Sequence, residues 1–130
     1  MNQPNRNDRT PISAPPVVLV VEDEPDQLEL LTVHFRRSGC TVIGVADAEN
    51  ALQLSADLAP DLMVLDLNLP GMDGWELTSR LRGRYPLCPV AITSVLDVQD
   101  YPDADWFLPK PVTKAHVKSV VAELPQRISR

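Results

Sequence analysis

"LMVLDLNLPGMDGWEL", residues 62–77, decides how this chain folds. It opens on a continuous apolar run, breaks at Pro70, Gly71 and Gly74, and resumes as "DGWELTSRLRGRYP" with Leu77 and Leu81 at helical spacing. A short apolar run bounded by turn residues fits a strand buried on both faces, as a parallel sheet requires. The unit therefore reads as strand, turn, helix. One residue resists that reading: Asp66, an acid inside the apolar run. A carboxylate beside a buried strand costs free energy unless something binds it.

The same order continues on either side. "VVLVV" at 17–21 predicts a first strand, followed by a helix within "EDEPDQLELLTVHFRRSG". In that helix Leu28, Leu31 and Phe35 share one face, acids crowd the start, and Arg36, Arg37 and Gly39 mark the end. "TVIGVA" at 41–46 is a second strand, and "DAENALQLSADLAP" a helix opened by Asp47 and closed before Pro60. "PVAITSV" at 89–95 and "DWFLPK" at 105–110 are the fourth and fifth strands. "TKAHVKSVVAELPQRI" is the last helix, with Val117, Val120, Val121 and Leu124 as its apolar stripe. Strands alternating with helices indicate an α/β fold on a parallel sheet with helices on both faces.

Composition sets the bounds. The chain has 130 residues, 44% of them hydrophobic, enough for one domain with a real core. Its net charge of -6 argues against direct contact with nucleic acid or a membrane surface as the main role. No apolar run approaches the roughly 18 residues of a membrane span. The two cysteines, Cys40 and Cys88, suit free thiols in a reducing, cytoplasmic setting. Residues 1–16 lack a secretion signal's apolar core and read as a disordered tail, leaving 17–125 as the folded domain and 126–130 as the end of the last helix or a frayed tail.

In open α/β sheets, ligands bind outside the carboxyl ends of the strands. Polar groups fall there repeatedly: Glu22 and Asp23 after the first strand, Asp66 on the third, Thr93 and Ser94 on the fourth, Lys110 on the fifth. Acids converging on one rim repel each other and call for a cation. Oxygen ligands of this kind suit Mg²⁺, which takes one or two carboxylates and keeps room for phosphate oxygens. A divalent ion plus an ammonium group favours phosphoryl transfer, with Asp66 available as a carboxylate nucleophile and Ser94 as a donor to a phosphoryl oxygen.

With these residues in place, the chain resembles the bacterial two-component response-regulator receiver domain over about residues 17–124. "VVLVVEDEP" is similar to that family's first strand with its acidic pair, and "DLMVLDLNLPGMDGWEL" to the stretch around its phosphorylated aspartate. "PVAITSV" and "FLPKPV" resemble the segments bearing the switch hydroxyl and the Lys-Pro pair. The resemblance implies a flavodoxin-like sheet of order 2-1-3-4-5 and a signalling switch rather than an enzyme acting on other molecules. It implies Asp66 as phosphate acceptor, Glu22, Asp23, Asp66 and the Asn68 carbonyl as Mg²⁺ ligands, Lys110 and Ser94 as catalytic, and Ser94 with Phe107 as switch residues. Implied partners are a sensor histidine kinase or histidine phosphotransfer protein and a separate downstream protein, since no output domain follows the last helix. A homodimer is left open.

Two departures stand out. Val95 follows the switch hydroxyl where the family usually has a small residue, so it is expected to narrow access and slow phosphorylation and dephosphorylation, both of which Val95→Ala then accelerates. Only "VLDVQDYPDA" separates Ser94 from the fifth strand, so the family's fourth helix is shortened by roughly one and a half turns or irregular, and Pro102 limits it further.

Blander readings accompany each motif. One of Glu22, Asp23 and Glu24 can cap the first helix. Asp73 before Gly74 reads as turn and cap chemistry. Ser94 against Thr93 is a question of strand register, and Ser94 is favoured for the rim. A cis bond before Pro111 would aim Lys110 inward. Trp106 and Phe107 should face opposite ways. His34 and His116 read as solvated, and Met63 and Met72 as packing. Rival functions are a degenerate receiver that binds a partner without phosphate, a haloacid-dehalogenase-type phosphatase, and a flavodoxin-like cofactor binder. The phosphatase wants an acid where Asn68 stands; the cofactor binder wants a phosphate loop after "VVLVV" that is absent from the sequence.

Overall fold

Short Val- and Leu-rich runs form the centre of the molecule. The computed structural model describes residues 14–54, 56–95 and 103–125. Five strands, β1 (Val17–Val21), β2 (Thr41–Val45), β3 (Leu62–Asp66), β4 (Val90–Ser94) and β5 (Trp106–Pro109), pair in parallel in the order β2-β1-β3-β4-β5. β3 and β4 are buried along their whole length. The expected α/β fold and strand order hold.

Among the described residues, four α-helices cover the sheet: α1 (Pro25–Arg37), α2 (Ala48–Leu52), α3 (Gly74–Arg84) and α4 (Lys114–Ala122). Strand side chains alternate between faces, and the core divides accordingly. Leu19, Val21, Met63, Leu65, Val90 and Ile92 pack with Leu77 and Leu81 of α3 and Ala48 and Ala51 of α2. Val18, Val20, Leu62, Val64, Ala91 and Leu108 pack with Leu31 and Phe35 of α1 and Val117 and Val120 of α4. Burying a side chain such as Leu31 or Phe35 is worth about 1.5–3 kcal/mol.

Caps fix the helix starts. Glu24, Asp47 and Asp73 accept from Gln27, Asn50 and Trp75 N–H respectively, and Thr113 with His116 forms a capping box on α4. Each such cap contributes about 1 kcal/mol. Two further acids tie strand starts: Asp61 accepts from Val17 N–H at 2.7 Å and Asp105 from Val90 N–H at 2.8 Å.

The structure shortens two expected helices. α2 ends at Leu52 instead of running to Pro60, and a 3-10 turn (Ala56–Leu58) and Ala59 at φ 44° follow. Pro60 disfavours helix at the residue before it, and the chain must turn there to begin β3. The last helix stops at Ala122, before Pro125. His116 is exposed, as expected, and also completes the capping box of α4, whereas His34 is half-buried. Both cysteines are free thiols, Cys40 buried and Cys88 half-buried, and burial with the nearby Asp61 and Asp105 pushes Cys88 up to about 12. The expectations of a shortened or irregular fourth helix, of most of a disordered N-terminal tail, and of a helix end or frayed tail fall on 96–102, 1–13 and 126–130, which lie outside the described residues.

Candidate functional site

β1 and β3 lie side by side and end at the same rim. Glu22 follows β1 directly, with its N–H bonded to Val45 O, and is fully buried; Asp66 closes β3 and is 2% exposed. Asp23 is exposed beside them, and one carboxylate oxygen from each of Glu22, Asp23 and Asp66 lies within 4.8 Å of the others. Lys110 enters from β5, after which its bond to Pro111 is cis. Its Nζ stands 3.0 Å from Glu22 Oε1 and 3.1 Å from Asp66 Oδ2. Asp66 Oδ1 accepts from Asn68 N–H at 2.9 Å, and Glu22 Oε2 from Glu24 N–H at 3.2 Å.

The electrostatics follow from this crowding. Burial, then the hydrogen bond and charge of Asp66, push the Glu22 carboxyl up to about 7 against the pull of Lys110. Burial alone would lower Lys110, but the hydrogen bonds and charges of Glu22 and Asp66 outweigh it and hold the ammonium above its ordinary value. Two buried carboxylates thus share one cation and sit beside a third acid at the surface. Closely spaced hard oxygen donors with a surplus of negative charge fit a divalent ion such as Mg²⁺.

The loop after Asp66 is held tightly. Gly71 has φ 84°, which favours glycine, and a Cβ on Gly74 would stand 2.6 Å from Leu67 Cα. A cleft of about 300 Å³ separates Pro70, Gly71 and Met72 from Asp47, Ala48 and Glu49 at the start of α2, at the same end of the sheet.

The structure brings Glu22, Asp23, Asp66 and Lys110 together, with Asn68 adjoining through its backbone. Ser94, fully buried, ends β4, and its carbonyl accepts from Lys110 N–H at 3.1 Å. Phe107 is 39% exposed, whereas Trp106 packs partly on the α1–α4 core and donates from Nε1 to Glu123 at 2.7 Å. The pair faces opposite ways, as strand period requires. Val95 is 71% exposed. The sequence marks Gly74 only as turn chemistry beside the Asp73 cap; its close packing against Leu67 carries no sequence signal beyond the glycine itself.

A family model described as the response regulator receiver domain matches residues 18–122. The chain is 37% identical over 124 residues to the transcriptional activator protein PfeR of Pseudomonas aeruginosa, covering 90% of this chain and 40% of that protein. It is 34% identical over 118 residues to the DNA-binding response regulator MtrA of Mycolicibacterium smegmatis, covering 87% of this chain and 50% of the other. The chain therefore spans about half the length, or less, of these relatives. Among solved structures, the response regulator protein TrrA of Thermotoga maritima, in complex with Mg(2+)-BeF, superposes with a TM-score of 0.74 at 25% identity, covering 83% of this chain and 97% of that one. The REC domain of AraT, a response regulator from Geobacillus stearothermophilus, gives 0.72 at 26% identity, covering 83% and 91%.

Proposed function

The chain belongs to the response-regulator receiver family, and on that premise we propose that it is a switch set by phosphorylation of Asp66. The donor is the phosphohistidine of a sensor histidine kinase or of a histidine phosphotransfer protein. Glu22, Asp23, Asp66 and the Asn68 carbonyl are the residues that would hold Mg²⁺. When bound, that ion neutralises charge on the transferring phosphoryl group. Asp66 supplies the attacking oxygen. Lys110, already 3.1 Å from Asp66, offers its ammonium to the incoming phosphoryl oxygens. The Ser94 hydroxyl closes on the same group, and Phe107, partly exposed beside β4, reports the change to a partner surface. Such a shift needs only that the phosphoryl group bind better to one arrangement than to the other. The switch is read by another protein surface, consistent with the acidic charge of this domain, and the setting is cytoplasmic.

One observation carries this reading: a nearly enclosed aspartate lies between an ammonium and two further acids at the carboxyl end of the central strands. A degenerate receiver would have no need to keep that set whole. Incubation with acetyl phosphate and Mg²⁺, followed by intact-mass measurement, tests the proposal. The expected result is a mass gain of one phosphoryl group, absent without Mg²⁺ and absent in Asp66→Asn. No gain with acetyl phosphate or with a phosphorylated phosphotransfer protein would overturn it.

A further inference from the structure

Strand parity identifies a second hydroxyl at the site. Val20, Val64, Ala91 and Leu108 all face the α1–α4 core. Two residues further along each strand direction come Glu22, Asp66, Thr93 and Lys110, and a period of two puts all four on that same face. The pairing agrees: Thr93 stands opposite Asp66 on one side and Leu108 on the other. Ser94, the last residue of β4, shares parity with Ile92 on the α2–α3 side, so in the proposed switch it would approach the phosphoryl group across the rim, whereas Thr93 lies on the face of Asp66 itself. Thr93 is fully buried, and its Oγ1 has no hydrogen-bond partner among the described residues. A buried hydroxyl without a partner loses its hydration and gains nothing in return.

We propose that Thr93 is a positioning residue for Asp66, its hydroxyl being the donor that the carboxylate takes up when Lys110 turns toward an incoming phosphoryl group. The proposal rests on the switch reading above. In the resting arrangement Asp66 needs no third donor, because Asn68 N–H serves Oδ1 and Lys110 serves Oδ2. Once the ammonium moves, Oδ2 has lost its donor within an enclosed site. Adjacent strands lie about 4.8 Å apart, so Thr93 can reach its neighbour on the same rung by rotation between staggered χ1 wells. The chemical step itself consumes no proton. With acetyl phosphate, the bond from phosphorus to the acetate oxygen breaks with its electron pair leaving on acetate, and a bond from phosphorus to an Asp66 oxygen forms. The threonine keeps its proton throughout and fixes the plane of the attacking carboxylate.

The test compares wild type, Thr93→Val and Thr93→Ser in acetyl phosphate and Mg²⁺, following phosphorylated protein by intact mass and folding by thermal melting. Thr93→Val is nearly isosteric, and it should melt no lower than wild type because it removes an unpaired polar atom. Its phosphorylation rate should fall about tenfold, the scale of one hydrogen bond, while Thr93→Ser stays within about twofold of wild type. Thr93→Val phosphorylated at the wild-type rate would overturn the proposal. So would an equal slowing in Thr93→Ser, which would assign the effect to the lost methyl contact. Should Thr93→Val not fold, Thr93→Ala against Thr93→Ser carries the same comparison. A wild-type chain that accepts no phosphoryl group overturns the switch reading itself, a result distinct from either outcome in the variants.

Discussion

Glu22 is fully enclosed at the end of β1, and burial is the first reason its carboxyl titrates near 7 and not at its ordinary 4.5. The folded protein therefore holds a proton there that the unfolded chain has already released. Stability falls with pH wherever the native state binds more protons. This group's contribution should thus be most favourable below pH 4.5, decline as pH rises through the window up to about 7, and stay flat above it. Urea denaturation in a chelating buffer across that window checks the sign. The midpoint should drop as pH rises, and Glu22→Gln, which cannot ionise, should remove that part of the slope. A Glu22→Gln profile parallel to wild type would assign the slope to other groups. Lys110 explains why the acid is tolerated at all: breaking a buried ion pair by removing one partner typically costs about 3–5 kcal/mol. The sequence made Glu22 legible as a rim acid, because it directly follows an apolar run. It did not show that Glu22 would be buried and Asp23 exposed, since that depends on which way the chain leaves β1.

The β3–α3 connection shows what local sequence does and does not reveal about an element. Pro70, Gly71 and Asp73 announce a turn and a cap, and Asp73 accepts from Trp75 N–H at 2.7 Å as that reading requires. Gly74 looks like ordinary turn chemistry, yet its Cα lies against Leu67, where an added Cβ would meet Leu67 Cα at 2.6 Å and Leu67 O at 2.7 Å. These are backbone atoms, which cannot swing aside as a side-chain tip can. Gly74→Ala should therefore displace the chain between Asp66 and the start of α3, lowering stability by about 1–3 kcal/mol. Because Asn68 N–H holds Asp66 through that segment, phosphorylation should slow as well. Gly83→Ala is the control, since a Cβ there meets nothing within 4 Å. Comparable denaturation midpoints and phosphorylation rates for the two variants would refute the steric argument. The same limit explains the overlong second helix: its residues suit a helix as far as Pro60, but the descent into β3, with Asp61 tied to Val17, is a tertiary demand.

At the scale of the molecule, alternation of strands and helices was readable from apolar runs and their spacing, while strand order was not. Periodicity states which residues face a core, not which strands are neighbours; the order 2-1-3-4-5 came with the family resemblance. Given that order, Glu22 after β1 and Asp66 at the end of β3 become neighbours, Lys110 joins them from 44 positions beyond Asp66, and the site becomes a bridge between distant parts of the chain. An ion gripped by Glu22, Asp23 and Asp66 would bind the folded state alone, since the unfolded chain scatters its ligands. Linkage then predicts stabilisation by about 2.7 kcal/mol when free Mg²⁺ is a hundredfold above its Kd. Urea denaturation with and without Mg²⁺ measures it, at matched ionic strength so that screening of the net negative charge is held constant. The midpoint should rise with Mg²⁺ while the slope with denaturant stays the same, because the surface exposed on unfolding is unchanged. Asp23→Asn is the informative variant: its side chain is exposed, so the fold tolerates the change, and the Mg²⁺-dependent rise should shrink. An undiminished rise in Asp23→Asn would place the ion elsewhere on the acidic surface.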